Sequence, residues 1–274
     1  MPQKWVDIGR CANVLVVSDV HMRFPDDERT HDFLQCLTRV GQDFKCETLI
    51  LLGDVFDFIN ARQSFYFSLW RTVFEKLRSL KQQGVRIIFV EGNHDYGFEH
   101  GPVHELGECF DLCGDFIVTA HHERLGRTVF LHSDDVVCPP SYRLFRGVVK
   151  SRLFQSLLHP VPGRLTSAIF SRYATLSRSK DYERPLRQDF FKSCVEHWLE
   201  EIKTDHHLQP DLCVLGHIHV HLDDQWQNIR FVSGPAWFTA PSLLLITEHG
   251  TVERFWLKEG GCPVEPFRLS ADRL

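Results

Sequence analysis

Five short polar motifs, each at the end of an apolar run, constrain this chain more than anything else in it. Val14 to Ser18 runs into Asp19-Val20-His21, Thr48 to Leu52 into Gly53-Asp54, and Val85 to Val90 into Gly92-Asn93-His94-Asp95. Further on, Thr128 to Leu131 runs into His132, and Leu212 to Leu215 into Gly216-His217-Ile218-His219. The runs have the length and β-branched content of buried strands. Between the first two, Phe33, Leu34, Leu37 and Val40 recur at helical spacing, and a longer helical pattern spans Phe65 to Leu80 before Gly84. That order reads as βαβαβ, which implies parallel strands with right-handed crossovers. Asp19, Asp54 and Asn93 are therefore expected side by side, beyond the carboxyl ends of neighbouring strands.

The second half adds strands at Phe116 to Ala120 and Thr128 to Leu131, a helical pattern from Phe190 to Ile202, and a strand-rich tail from His221 to Leu257. The expected architecture is an α/β two-sheet sandwich flanked by helices, a single domain over 1–274 interrupted by a helical insertion over 141–187. With 274 residues, 43% of them apolar and 24% charged, the chain can bury a sizeable core, which excludes a disordered chain. No apolar run approaches a membrane span and Met1 to Arg10 lacks a signal-peptide core, so a cytoplasmic protein is expected. Its nine cysteines, none spaced as CxxC, read as packed, reduced thiols.

The net charge of −5 is unevenly spread. Residues 141–184 hold nine Lys and Arg against Asp181 and Glu183, so the rest of the chain is strongly acidic. Such a segment is expected to seek an anionic partner. Within it, Leu144, Phe145, Val148, Val149, Leu153, Phe154, Leu157 and Leu158 recur at helical spacing, and Pro160, Pro162 and Gly163 divide it into two pieces. It could equally be a solvated amphipathic hairpin packing on the domain.

Any one motif alone is weak: a strand-end Asp is often a helix cap and a lone His an ordinary polar residue. Together they form an Asp, Asn and His donor set suited to Mn²⁺ first, with Fe²⁺ or Zn²⁺ as alternatives. Two such ions sharing a carboxylate can activate water and clamp phosphoryl oxygens.

In this order the motifs resemble the calcineurin-like metallophosphoesterase superfamily, whose pattern is D-x-H, G-D-x-x-D/E, G-N-H-D/E, H and G-H-x-H. The resemblance implies a four-layer αββα fold and two divalent metal ions. Asp19, His21, Asp54 and His219 would hold one, and Asp54, Asn93, His132 and His217 the other. It makes His94 the catalytic residue facing the leaving group, with Asp95 as its orienting partner. Asp57 fits the second acidic position or a helix cap.

Within the superfamily the chain is most similar to the UDP-2,3-diacylglucosamine pyrophosphatases, peripheral-membrane enzymes of lipid A synthesis. The features are Gly53-Asp54-Val55-Phe56-Asp57, His132-Ser133-Asp134 followed by Cys138, and the insertion with Tyr142-Arg143-Leu144-Phe145-Arg146 and Ser177-Arg178-Ser179-Lys180. The resemblance implies that the insertion is a helical lid, with Tyr142, Arg146, Arg178, Ser179 and Lys180 contacting a phosphorylated, lipid-linked nucleotide sugar at the inner-membrane surface. That family commonly has arginine where this chain has His94. A histidine suits the expulsion of an alkoxide, which gains more from a proton donor than does a phosphate leaving group. A soluble metallophosphoesterase acting on a nucleotide, a phosphodiester or nucleic acid is therefore the alternative.

Overall fold

The computed structural model describes residues 4–170, 172, 186–237 and 240–257. Its strands in chain order are β1 (Lys4–Arg10), β2 (Val14–Val17), β3 (Thr48–Leu52), β4 (Ile59–Asn60), β5 (Arg86–Val90), β6 (Asp95–Tyr96) and β7 (Leu112–Gly114). They continue with β8 (Phe116–His122), β9 (Gly126–Leu131), β10 (Leu212–Leu215), β11 (Asp223–Trp226), β12 (Ile229–Ser233), β13 (Ser242–Ile246) and β14 (Val252–Trp256). One sheet has the order β14-β13-β2-β3-β5-β7 and the other β1-β8-β9-β10-β12-β11. The β2-β3-β5 and β9-β10-β12 sets are each parallel, which aligns their carboxyl ends.

Strand alternation builds the layers. In the first sheet Val14, Val16, Ile50, Leu52, Ile88 and Val90 face Val118, Phe130, Leu212, Val214 and Val232 of the second. Their neighbours Leu15, Val17, Leu49, Leu51, Ile87 and Phe89 turn outward onto helices α1 (Glu28–Gln42), α2 (Ser64–Leu69) and α3 (Arg71–Gln82). On the far side, Ile117, Val129, Leu131, Cys213, Leu215 and Phe231 meet the last helix. Central strands are thus buried on both faces, as parallel strands covered by helices must be. The helical pattern read over Phe65 to Leu80 divides into α2 and α3 at Trp70, whose φ of −99° and ψ of 25° leave the helical region. Its indole packs 5.1 Å from the Phe56 ring.

Helix α4 (Val103–Cys109) precedes the insertion, whose described residues include α5 (Pro140–Val149), α6 (Arg152–Leu158) and α7 over residues 163–170; α8 (Gln188–His206) comes after it. The break between α6 and α7 falls at Pro160 to Pro162. The described part of the insertion is packed on the domain body. Gln63 Nε2 donates to the carbonyls of Leu158 and Val161, Thr166 Oγ1 donates to Gln63 Oε1, and Phe170 stacks on Phe58 at 4.2 Å. Its polarity is inverted relative to an ordinary surface hairpin. Leu144, Val148, Leu153, Leu157, Leu165 and Ile169 are 52–74% exposed, whereas the Arg146 and Lys150 side chains are 11% and 8% exposed.

The described cysteines are free thiols, and burial pushes Cys36 up to about 12. Among the described residues no helix is long and apolar enough to cross a membrane.

Helix α1 begins at Asp27, whose carboxylate accepts from the N–H groups of Thr30, Arg23 and Phe24. Partial burial would raise its pKa, but these donors outweigh burial and lower it. Asp27→Ala should cost about 1 kcal/mol in denaturant unfolding at neutral pH. Because the folded-state pKa is the depressed one, the contribution is present above about pH 4 and fades as pH falls through the folded value. The gap between wild type and variant should therefore narrow in acid.

Candidate metal centre

All five motifs meet on one rim of the sandwich, where the parallel strands of both sheets end. Asp19 N donates to Gly53 O, Gly216 N to Leu131 O, and His217 N to both carboxylate oxygens of Asp19, which joins β2, β3, β9 and β10 at their tips. The backbone there is unusual. Nine described non-glycine residues have positive φ, and Asp19, His21, Asp54, His217 and His219 are five of them, with Ser133 beside His132 a sixth. Each such conformation costs on the order of 1–3 kcal/mol. Their concentration in one place marks side chains whose direction was selected over backbone comfort.

The side chains converge in three groups: Asp19, His21 and His219; Asp54, His132 and His217; and His21, Asp57 and His94, the donor atoms of each group lying within 4.8 Å of one another. Asp54 joins the groups. Its Oδ1 lies 3.4 Å from His132 Nε2, and its Oδ2 lies 3.7 Å from His21 Nε2 and 3.9 Å from His94 Nε2. Asn93 Oδ1 is 3.2 Å from His132 Nε2, and His219 Nε2 is 3.0 Å from Asp19 Oδ1. Asp19, His21, Asp54 and His132 are each 1% exposed.

The electrostatics follow from this crowding. Burial would raise the pKa of Asp54, but His132, His94 and His21 outweigh burial and hold it well below the carboxylate range. Burial would lower His132, but Asp54 and Asp19 overcome that and bring it up to about 10. His217 goes the other way, down to about 4, through burial and the neighbouring His132. The last is a neutral imidazole whose buried Nδ1 meets no hydrogen-bond partner among the described residues. An orphaned nitrogen beside a negative carboxylate fits a cation.

Supporting contacts select the tautomers. A carbonyl only accepts, so His132 Nδ1 donates to Leu52 O at 2.9 Å and turns Nε2 toward Asp54. Likewise His94 Nδ1 donates to Asp57 O at 2.8 Å, turning Nε2 inward. The orienting contact expected of Asp95 therefore comes from the Asp57 main chain. Asp95 is fully buried and instead accepts from the N–H groups of Val55, Phe56 and Gly92, tying two motif loops together. Burial and nearby Asp54 raise its pKa well above the usual value. The Asp57 side chain lies 3.9 Å from His21 Nδ1 and caps no helix.

Of the expected substrate contacts, Tyr142 stands at the wall of the site, its ring 6.4 Å from that of His217. Arg146 differs from expectation: its Nε and Nη2 donate to Asp134 and Asp115 at 2.6 and 2.7 Å, because a nearly buried guanidinium has to be paired. Arg178, Ser179 and Lys180 lie outside the described residues. Sequence reading did not anticipate the Asp57 carbonyl, which no side-chain pattern reveals, or Asp115, which lies in no motif.

A sequence model of calcineurin-like phosphoesterases matches residues 12–221, a span that contains every motif above. The chain belongs to this family. It is accordingly a hydrolase acting on phosphate esters or anhydrides. A protein of Vibrio cholerae named UDP-2,3-diacylglucosamine hydrolase is 25% identical over 246 residues, covering 86% of this phosphoesterase and 96% of its own length. One of the same name from Yersinia pseudotuberculosis is 26% identical over 253 residues, covering 90% and 92%. Among solved structures, a novel archaeal phosphodiesterase is similar at 13% identity and a TM-score of 0.46, covering 89% of this chain and 99% of that one.

The glycines at the rim yield a test. A Cβ on Gly92 would overlap the Asp54 carboxylate and sit 2.8 Å from His132 Nε2. Gly92→Ala should therefore cut kcat/KM by at least about 100-fold, roughly 2.7 kcal/mol in transition-state stabilisation, while circular dichroism stays unchanged. Asp54→Asn should lose still more. Near-wild-type hydrolysis by Asp54→Asn in metal-defined buffer would refute a shared bridging carboxylate.

Proposed function

We propose that this phosphoesterase hydrolyses the pyrophosphate of UDP-2,3-diacylglucosamine to UMP and 2,3-diacylglucosamine 1-phosphate, working with two divalent cations at the cytoplasmic face of a membrane. The observation that carries the reading is similarity over nearly the whole chain to proteins named for that substrate. The insertion supports it. Six exposed aliphatic side chains lie along α5, α6 and α7, and each gains about 1.5–3 kcal/mol on full burial. An acyl chain or a bilayer surface would cover such a row, whereas a nucleotide or nucleic acid would not.

Asp19, His21, Asp54 and His219 would hold one cation, and Asp54, Asn93, His132 and His217 the other. When bound, two such ions supply Lewis-acid polarisation of phosphoryl oxygens and a more acidic water. The residues do the rest. Asp54 presents one oxygen to each half of the site, and the Leu52 carbonyl keeps His132 in the ligating tautomer. His94, with Nδ1 held by Asp57 O, offers Nε2 to the leaving oxygen, as donor when protonated. Tyr142, with Arg178, Ser179 and Lys180 from the same insertion, is assigned to the substrate. Asp95 serves by keeping the Val55 and Gly92 loops in register.

With Mn²⁺ present, kcat/KM for UDP-2,3-diacylglucosamine should exceed that for its unacylated counterpart and for a generic phosphodiester by at least about tenfold, roughly 1.4 kcal/mol. Indifference to acylation would favour the soluble phosphoesterase reading. Leu144→Ser with Leu157→Ser should erode only the acylated advantage and weaken sedimentation with anionic vesicles. His94→Arg should preserve pyrophosphate cleavage better than phosphodiester cleavage, since a fixed positive charge can stabilise a phosphate leaving group but donates no proton. Equal losses on both would overturn the assigned role of His94.

A further inference from the structure

We infer that Arg146 and Lys150 are positioning residues for one half of the metal centre, so that the insertion is part of the scaffold of the site as well as its cover. The inference rests on the two-cation reading above. Arg146 lies in the last turn of α5 and Lys150, four residues on, is its C-cap residue, so the two side chains leave the same side of the helix end. That side meets two of the ligand-bearing loops. Arg146 Nε donates to Asp134 Oδ2 at 2.6 Å, and Asp134 is fully buried two residues after His132. Lys150 Nζ lies 3.4 Å from Glu91 Oε2, and Glu91 is buried two residues before Asn93. Both cations also reach Asp115 Oδ1, Arg146 at 2.7 Å and Lys150 at 3.4 Å.

The geometry is that of a clamp. Three carboxylates from three separate segments are gathered around two cations from a single helix turn, and each end of the cluster is tied to a loop. Glu91 Oε1 accepts from Phe98 N at 2.7 Å and Glu91 N donates to Gly114 O at 2.8 Å, so its position passes directly into the Gly92-Asn93 backbone. On the other loop, Ser133 Oγ donates to Gly216 O and Ser133 O accepts from Val136 and Val137, so Asp134 is held in a tight turn beside His132. Without the cations, buried like charges would push the two loops apart. Asn93 and His132 are assigned to the same cation. Asp134 and Glu91 flank His132 and Asn93 in their own loops, whereas Asp19, His21 and His219, which complete the other site with Asp54, come from the loops after β2 and β10. The expected signature is thus asymmetric, with one site weakened and the other spared.

Mn²⁺ binding to the metal-stripped full chain, read by isothermal titration calorimetry and by electron paramagnetic resonance of free Mn²⁺, tests this without recourse to activity. Wild type should bind two ions. Arg146→Met and Lys150→Met should each weaken one site by at least about tenfold and leave the other within about threefold, and Arg146→Lys should recover part of the loss. Lys150→Met combined with Glu91→Gln removes the orphaned buried charge. It should regain thermal stability over Lys150→Met alone without regaining Mn²⁺ affinity, and it keeps the test open if Arg146→Met does not fold. Unchanged affinity at both sites, equal weakening of both, or recovery of affinity together with stability would overturn the positioning role. Fewer than two Mn²⁺ in wild type would instead overturn the two-cation reading, and this inference with it.

Discussion

Asp54 is 1% exposed, and its two oxygens lie within 3.4–3.9 Å of three imidazoles, so the end of β3 carries a charge that water does not reach. A buried carboxylate is tolerable only when positive or hydrogen-bonding groups surround it. Much of the rim answers that need. His94 N donates to Asp54 Oδ1 at 2.9 Å, His132 is pulled toward its protonated form, and the Gly92 backbone comes so close that no side chain fits there. Divalent cations would complete what the histidines begin, and a proton on His132 would be released on binding.

Holding that constellation requires parallel strands from two sheets to end at one level, with backbone bent into left-handed conformations at the turn. The αββα layering supplies the rigidity. Central strands are packed on both faces, so the strain of positive φ at Asp19, Asp54 and His217 is offset by the apolar cores beneath them. Elsewhere among the described non-glycine residues, positive φ occurs only at His207, Gln227 and Asn228, away from the rim in sequence.

The insertion divides its labour by side-chain type. Arg146 of α5 and Lys150 at its C-cap neutralise acids of the domain body, and the leucines of the insertion's described helices are exposed. Part of the charge asymmetry that reads as an appetite for an anionic partner is therefore satisfied internally. The face left for a partner along α5 to α7 is greasy.

The βαβαβ succession, the parallel β2-β3-β5 core and the gathering of Asp, Asn and His motifs at its carboxyl ends were legible from sequence. A run of β-branched residues that stops at Asp or Gly-Asp repeats a local rule, and local rules survive without tertiary context. The edge strand β1 was not legible, because only Ile8 among its residues is buried. Nor was the break at Trp70, where the apolar spacing continues across a bend. The same limit applies to chemistry. Residue type and spacing determined that Asp, Asn and His would gather at one rim. Only the tertiary structure decided that the Asp57 main chain accepts from His94, that Asp95 accepts from two motif loops, and that Arg146 is paired with Asp134 and Asp115. Those assignments depend on which polar groups are buried together, and burial is a property of the packed chain, not of any residue along it.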